Sequence, residues 1–282
     1  MEFMNEIDQL GKISIKKTTI SLPFKDAKAD QAQIQLPVQE MKSINIRLKL
    51  KKRFKVNKNG LMMNLSGCIM LSNSNLLIAD YLVSNVIMEY RKDGKHIRDI
   101  PCSGKPFDLT VIDTDRIAVS YGISKYIDIL NMKNNTVDRK VQFDNSCYGI
   151  SYQDNKLFIS TGGIVIIDIT GEVLKTLDTN NGLYLETTID KIYFAVKRDH
   201  TIHCISMAGE EIWVHKVESL VDPMGITVDD YQNVFVVDRN SNLLKVIQHD
   251  GRANKKSTKR NGRYARTICA TLQQRQKNIT SV

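Results

Sequence analysis

The chain has 282 residues, 42% of them hydrophobic, which is enough to bury a sizeable core and excludes disorder over most of its length. Its formal charge is +9, but nine of the 40 basic residues and none of the 31 acidic ones lie from Arg252 onward, so positions 1–251 hold 31 of each. A uniformly basic nucleic-acid-binding body is therefore excluded, and the excess belongs to a tail.

The N-terminal stretch MEFMNEIDQL lacks a basic lead and an apolar h-region, and the most apolar run, GIVIIDI at Gly163–Ile169, is too short to span a bilayer. The sequence reads as soluble and cytoplasmic, with no membrane partner. Cys68, Cys102, Cys147, Cys204 and Cys269 are scattered without a C-x-x-C pair, which suggests free thiols and neither a disulfide framework nor a zinc module.

Residues 1–43 read as a linker with short strands. The segment INIRLKLKKRFKV (Ile44–Val56) follows as a strand: Ile44, Ile46, Leu48, Leu50, Phe54 and Val56 share one parity, while Arg47, Lys49, Lys51, Arg53 and Lys55 share the other. Such a stripe could bind nucleic-acid phosphates, although charges on an outermost strand are also the ordinary protection against edge pairing.

Beyond it the same phrase recurs. Small polar turns at Asp93-Gly94, Asn134-Asn135, Thr170-Gly171, Ala208-Gly209 and Asp250-Gly251 are 41, 36, 38 and 42 residues apart. Each is flanked by short runs rich in Val, Ile and Tyr, as in GITVDDYQNVFVVD (Gly225–Asp238). A period near forty with this content marks the blades of a β-propeller. Inner runs such as VFVV are apolar on both faces because neighbouring blades cover them, and outer runs such as HIRDIP alternate.

The predicted architecture is all-β, a propeller over 44–251. Six blades are expected, the last incomplete or closed by the N-terminal strand, because GRANKKSTKR lacks the alternation that a fourth strand of the fifth blade needs. The tail, 252–282, is expected to be disordered or to form a short basic helix; its Lys255, Lys256, Lys259 and Arg260 are candidate nucleic-acid contacts together with the stripe.

The phrases SGKPFDLTVIDTDRIAVSY (Ser103–Tyr121), CYGISYQDNKLFIS (Cys147–Ser160), MAGEEIWVHKVESLVDPMGITVDDYQNVFVVD (Met207–Asp238) and LLKVIQHDG (Leu243–Gly251) resemble the NHL-type propeller region of tripartite-motif proteins. The resemblance implies an NHL-like propeller that selects substrates for a ubiquitin ligase, preceded in full-length members by RING, B-box and coiled-coil modules. MNEIDQLGKISI then looks like the last turn of the coiled coil and its linker. The Cys and His clusters of the zinc modules are missing from this chain, so ligase activity is not expected of it.

Enzymatic propellers, including calcium-dependent lactonases, present convergent carboxylates in the channel. Asp108, Glu186, Asp229 and Asp230 are the candidates, but Asp at turns is ordinarily structural. His200 and His203, three apart in a strand, cannot share a metal. No catalytic residue, metal or cofactor is therefore assigned. What remains is a binding surface: Lys105, Pro106, Phe107, Tyr148, Tyr184, Pro223 and Met224 lie in loops leading to innermost strands and should gather at one end of the channel, either to contact a protein partner or ubiquitination substrate or merely to seal it. RNA is the rival ligand, and a lactonase-like hydrolase a further alternative.

Overall fold

The computed structural model describes residues 9–16, 47–56, 64–82, 85–179, 182–217, 221–238, 243–252 and 258–259. Five four-stranded antiparallel sheets follow one another along the chain. The first blade is β3 (Leu65–Met70), β4 (Leu76–Asp80), β5 (Val86–Tyr90) and β6 (His96–Pro101); the second is β7 (Asp108–Val111), β8 (Arg116–Ser120), β9 (Tyr126–Asn131) and β10 (Thr136–Gln142). The third is β11 (Ile150–Gln153), β12 (Lys156–Ser160), β13 (Ile164–Asp168) and β14 (Val173–Leu177), and the fourth β15 (Tyr184–Thr187), β16 (Lys191–Val196), β17 (Thr201–Ser206) and β18 (Glu211–Lys216). The fifth is β19 (Pro223–Val228), β20 (Val234–Asp238), β21 (Leu243–Ile247) and β22 (Thr258–Lys259).

The first strand of each blade is innermost. These five strands pack in sequence around one axis, and β19 returns to meet β3. The ring thus closes with five blades, not the six expected. The fourth strand of the fifth blade does come from the tail: Thr258 and Lys259 pair with Leu244 and Leu243. Alternation could not reveal it, because two residues are too few to show a period.

β1 (Gln9–Lys16) and β2 (Arg47–Lys55) form a separate two-stranded ribbon, so among the described strands the predicted closing strand pairs outside every blade. Its register also corrects the single basic stripe. Pairing runs from Lys16 opposite Arg47 to Ile13 opposite Leu50, then skips Lys51 to set Lys12 opposite Lys52. This bulge shifts the register by one residue, so a strict two-residue period does not run the length of β2.

Burial follows position in the blade. Every residue of β4 and β20 is buried, whereas β10 is almost wholly exposed. All five periodic turns place their second residue at positive φ: Gly94 at 89°, Asn135 at 56°, Gly171 at 90°, Gly209 at 97° and Gly251 at 83°. Gly and Asn recur there because they adopt that conformation at little cost.

The last residues of four of the second strands, β4, β8, β12 and β20, hold either the entering loop of their own blade or the neighbouring blade at the upper end. Asp80 Oδ1 accepts the N–H groups of Asn64 and Leu82 at 3.0 and 3.1 Å. Ser120 and Ser160 donate across to the Tyr148 and Gly182 carbonyls, each joining a blade to the next. Asp238 Oδ2 accepts from Val221 and Asp222 at 2.6 and 2.7 Å. Cys102, Cys147 and Cys204 are free thiols, but Cys68 is disulfide-bonded, which corrects the expectation of free thiols throughout. Among the described residues no helix is long and apolar enough to cross a membrane.

Candidate functional site

The chain enters each innermost strand from the upper end, which brings the predicted loop residues around the axis. Phe107 is buried at the centre of an aromatic cluster. Its ring lies 5.2 Å from Tyr81 and 5.1 Å from Tyr148, both edge-on, and stacks on Tyr184 at 5.3 Å. The Tyr184 hydroxyl reaches Met224 Sδ at 4.0 Å. Edge-to-face and stacked pairs of this kind hold a plug rigidly. Pro106 is buried in its entering loop, whereas Pro223 and Met224 open β19 and Tyr184 opens β15, so these three predicted loop residues stand in strands; Ser66 Oγ donates to the Pro106 carbonyl at 3.2 Å, linking the first two blades. Lys105 alone of the seven predicted contact residues is exposed.

Below the plug lies a polar cavity of about 80 Å³ lined by all five innermost strands. Two of the four carboxylates singled out from the sequence face it. Asp108 Oδ1 accepts the Leu109 N–H at 2.9 Å and Oδ2 accepts the Ile150 N–H at 3.2 Å. Burial raises the Asp108 pKa to about 8 despite these bonds, and the Glu186 charge adds to the rise. Glu186 accepts from Ser151 Oγ at 2.9 Å and from the Thr187 N–H at 3.2 Å, yet burial lifts its pKa too. Ser151 and Thr187 hydroxyls meet at 2.8 Å.

The other two carboxylates do not join them. Asp229 accepts the Tyr231 and Asn233 N–H groups at 3.0 and 2.8 Å in the turn between β19 and β20, and Asp230 is exposed beside it. His200 sits in a turn at φ 57°, while His203 is buried against Phe194, ring on ring at 4.9 Å. Among the described residues no group of three or more His, Cys, Asp or Glu side chains could hold a metal ion.

Sequence reasoning missed the hydroxyl-bearing positions of the cavity wall. Ser66, Thr110 and Thr227 line it, and Ser151 Oγ donates to Glu186, which lines it too. The signal was present as the polar residue after the apolar one in LTV, ISY, LET and ITV, a Ser or Thr in three blades and Glu186 in the fourth. Of the predicted nucleic-acid contacts, Arg47, Lys49, Lys51, Arg53 and Lys55 lie on β2 and Lys259 on β22, whereas Lys255, Lys256 and Arg260 lie outside the described residues.

No protein-family model and no curated protein matches the chain. Solved structures do share its fold. Virginiamycin B lyase from Staphylococcus aureus superposes with a TM-score of 0.58 at 17% identity, covering 73% of each chain. A catalytically inactive variant of that lyase with quinupristin gives 0.58 at 18% identity and 76% of each. A streptogramin B lyase gives 0.57 at 14% identity, covering 72% of this chain and 70% of the other. At these identities the likeness is one of fold.

Proposed function

We propose that the chain is a recognition module that docks a protein segment on the upper end of the propeller. The observation that carries this reading is the position of Phe107: with its aromatic neighbours it fills the upper mouth of the channel, and the 80 Å³ left below is far less than the roughly 300–1,000 Å³ of small-molecule sites. Around the plug the same end displays Leu82, Ile123 and Val221, which are 44%, 69% and 44% exposed, with the exposed Lys105 nearby. Apolar side chains on a polar rim suit a protein contact. In the tripartite-motif reading this surface is the substrate-selecting end of a ubiquitin ligase, and the chain alone forms no ubiquitin conjugates.

A photo-crosslinking residue placed at Leu82 or Ile123 in cells should trap a discrete partner, and one placed at Val137 or Val173 on the outer strands should not. Equal trapping from both regions would refute the reading.

A second reading, favoured by Asp108 and Glu186 in the channel and by the lyase neighbours, is an enzyme that uses the protonated Asp108 as general acid. Incubation with quinupristin followed by mass spectrometry tests it directly. Loss of the intact antibiotic that disappears in Asp108→Asn would establish this reading over docking.

A further inference from the structure

A carboxylate that a fold buries ordinarily holds backbone N–H groups or a close cation. Among the described residues Asp80 and Asp238 accept backbone N–H groups, Glu89 pairs with Arg98 at 2.8 Å, and Asp222 pairs with Lys197 at 2.5 Å. Asp128, 0% exposed within β9, is different. Its Oδ2 accepts a hydrogen bond from the Ser103 hydroxyl, and its Oδ1 is buried without a hydrogen-bond partner, 3.7 Å from Lys140 Nζ.

These groups meet at the seam between the first two blades. Lys140 stands opposite Asp128 in the pairing of β9 with β10, and Ser103 arrives in the loop that joins β6 of the first blade to β7 of the second. Gly104 lets that loop approach, since a Cβ there would meet Tyr126 Oη at 2.5 Å. Lys140 Nζ donates to Ser103 Oγ at 3.2 Å and stands 3.9 Å from the centroid of the Tyr126 ring, whose hydroxyl lies 3.0 Å from the same Oγ. The Tyr121 hydroxyl, beside Cys102, Ser103 and Asp128, is also buried without a hydrogen-bond partner.

A hydroxyl bonded to a base and met by a cation is the arrangement that activates a serine. Two buried polar atoms left unsatisfied beside it mark a site that a folding role does not complete. Ser103 itself is exposed, so an electrophile can reach it.

We propose that Ser103 is the nucleophile of an esterase site at this seam, with Asp128 as general base and Lys140 as the cation that stabilises the oxyanion. Ser103 Oγ attacks the carbonyl carbon of a small acyl ester while its proton passes to Asp128. The bond from that carbon to the alcohol oxygen breaks, and the alcohol leaves with the proton. Water then attacks the acyl carbon and gives a proton to Asp128; the acyl bond to Oγ breaks, and Oγ takes the proton back. Ester and water become acid and alcohol, and no further reactant is needed. The site uses neither the aromatic plug nor the channel acids, so it is independent of docking on the upper end of the propeller.

Two measurements on the full chain test this. A fluorophosphonate, which forms an O–P bond to an activated serine and expels fluoride, is followed by peptide mass spectrometry, and p-nitrophenyl acetate hydrolysis reports turnover. Ser103 should carry the adduct, and Ser103→Ala should abolish both signals. Asp128→Asn should slow both by about 10²-fold or more. Because Asp128 is buried, Lys140→Gln on the exposed strand supplies the second variant: it should slow both by about 10²-fold with the melting temperature within about a degree of wild type. Labelling of Ser103 that is equally fast in the urea-unfolded chain, an adduct on Tyr126 in its place, labelling without ester turnover, or equal rates in wild type and Lys140→Gln would each overturn the proposal.

Discussion

The Asp108 carboxylate, on the innermost strand of the second blade, accepts the backbone N–H of Ile150 on that of the third at 3.2 Å. One buried acid thus joins two blades at the channel wall, and its protonation is coupled to the ring. Burial raises its pKa from 3.8 to about 8, so the folded state holds a proton that the unfolded chain releases. The stability this provides is complete below about pH 4 and lost as pH rises through 8.

Glu186, also raised, acts in the same direction, while the lowered His203 and His215 change stability only near and below pH 6.5. Between pH 7 and 8 Asp108 therefore dominates, and above that the thiols of Cys102, Cys147 and Cys204, which burial raises from 9.0 to about 12, 11 and 11, add to the fall. The melting temperature should fall over that range, with a slope of at most about 1.4 kcal/mol per pH unit for each proton. Asp108→Asn should flatten it; a wild-type melting temperature that is level or rises from pH 7 to 8.5 contradicts the assignment.

Gly67 lies against the same carboxylate from the first blade. A Cβ there would stand 2.7 Å from Asp108 Oδ1 and 2.9 Å from its Cα, and the backbone atom cannot swing aside. Gly67→Ala should therefore force the first two blades apart at the axis and cost about 1–3 kcal/mol, as overpacking does. In a urea titration the midpoint should drop with the m-value unchanged.

The blades were legible because each repeats a unit: apolar runs covered on both faces, and a polar turn with a Gly or Asn at positive φ as its second residue. Blade number was not, because the last strand is two residues long and carries no period. Outer strands misled in a regular way. Their pairing skips Ile97, Asp138, Leu174 and Ile212, each three or four residues past the periodic turn, so a bulge shifts the alternation and leaves Ile97, Leu174 and Ile212 in water. The Phe107 cluster was visible only as four aromatic or Met residues at matching loop positions; that they touch one another depends on the radius of a five-membered ring, which no local pattern encodes.

Asp238 illustrates how a terminal strand residue fixes a loop. It is 1% exposed, and its Oδ2 holds the N–H groups of Val221 and Asp222, while Lys197 reaches the Asp222 carboxylate at 2.5 Å from the fourth blade. Asp238→Ala leaves two donors without their charged acceptor, at about 1.5–3 kcal/mol for such a bond. Destabilisation of about 3 kcal/mol in chemical denaturation is expected, with faster amide exchange at residues 221 and 222 than elsewhere in the fifth blade. A loss spread evenly over all blades would mean that the aspartate supports the core rather than the loop.

Phe107 separates sealing from recognition. Truncation to Ala removes a ring that contacts Tyr81, Tyr148 and Tyr184, and a buried Phe→Ala change costs about 3–5 kcal/mol. Phe107→Leu keeps most of the volume and should cost under about 2 kcal/mol, losing chiefly the aromatic pair geometry. Because Phe107 is 8% exposed whereas Ile123 is 69% exposed, the two positions should divide the effects. Phe107→Leu lowers the melting temperature and leaves partner crosslinking from Leu82 intact, while Ile123→Asp leaves the melting temperature within about a degree of wild type and abolishes crosslinking. If Phe107→Leu instead abolished crosslinking with the fold preserved, the plug itself would be the contact surface, and the partner would have to reach into the channel mouth rather than rest on its rim.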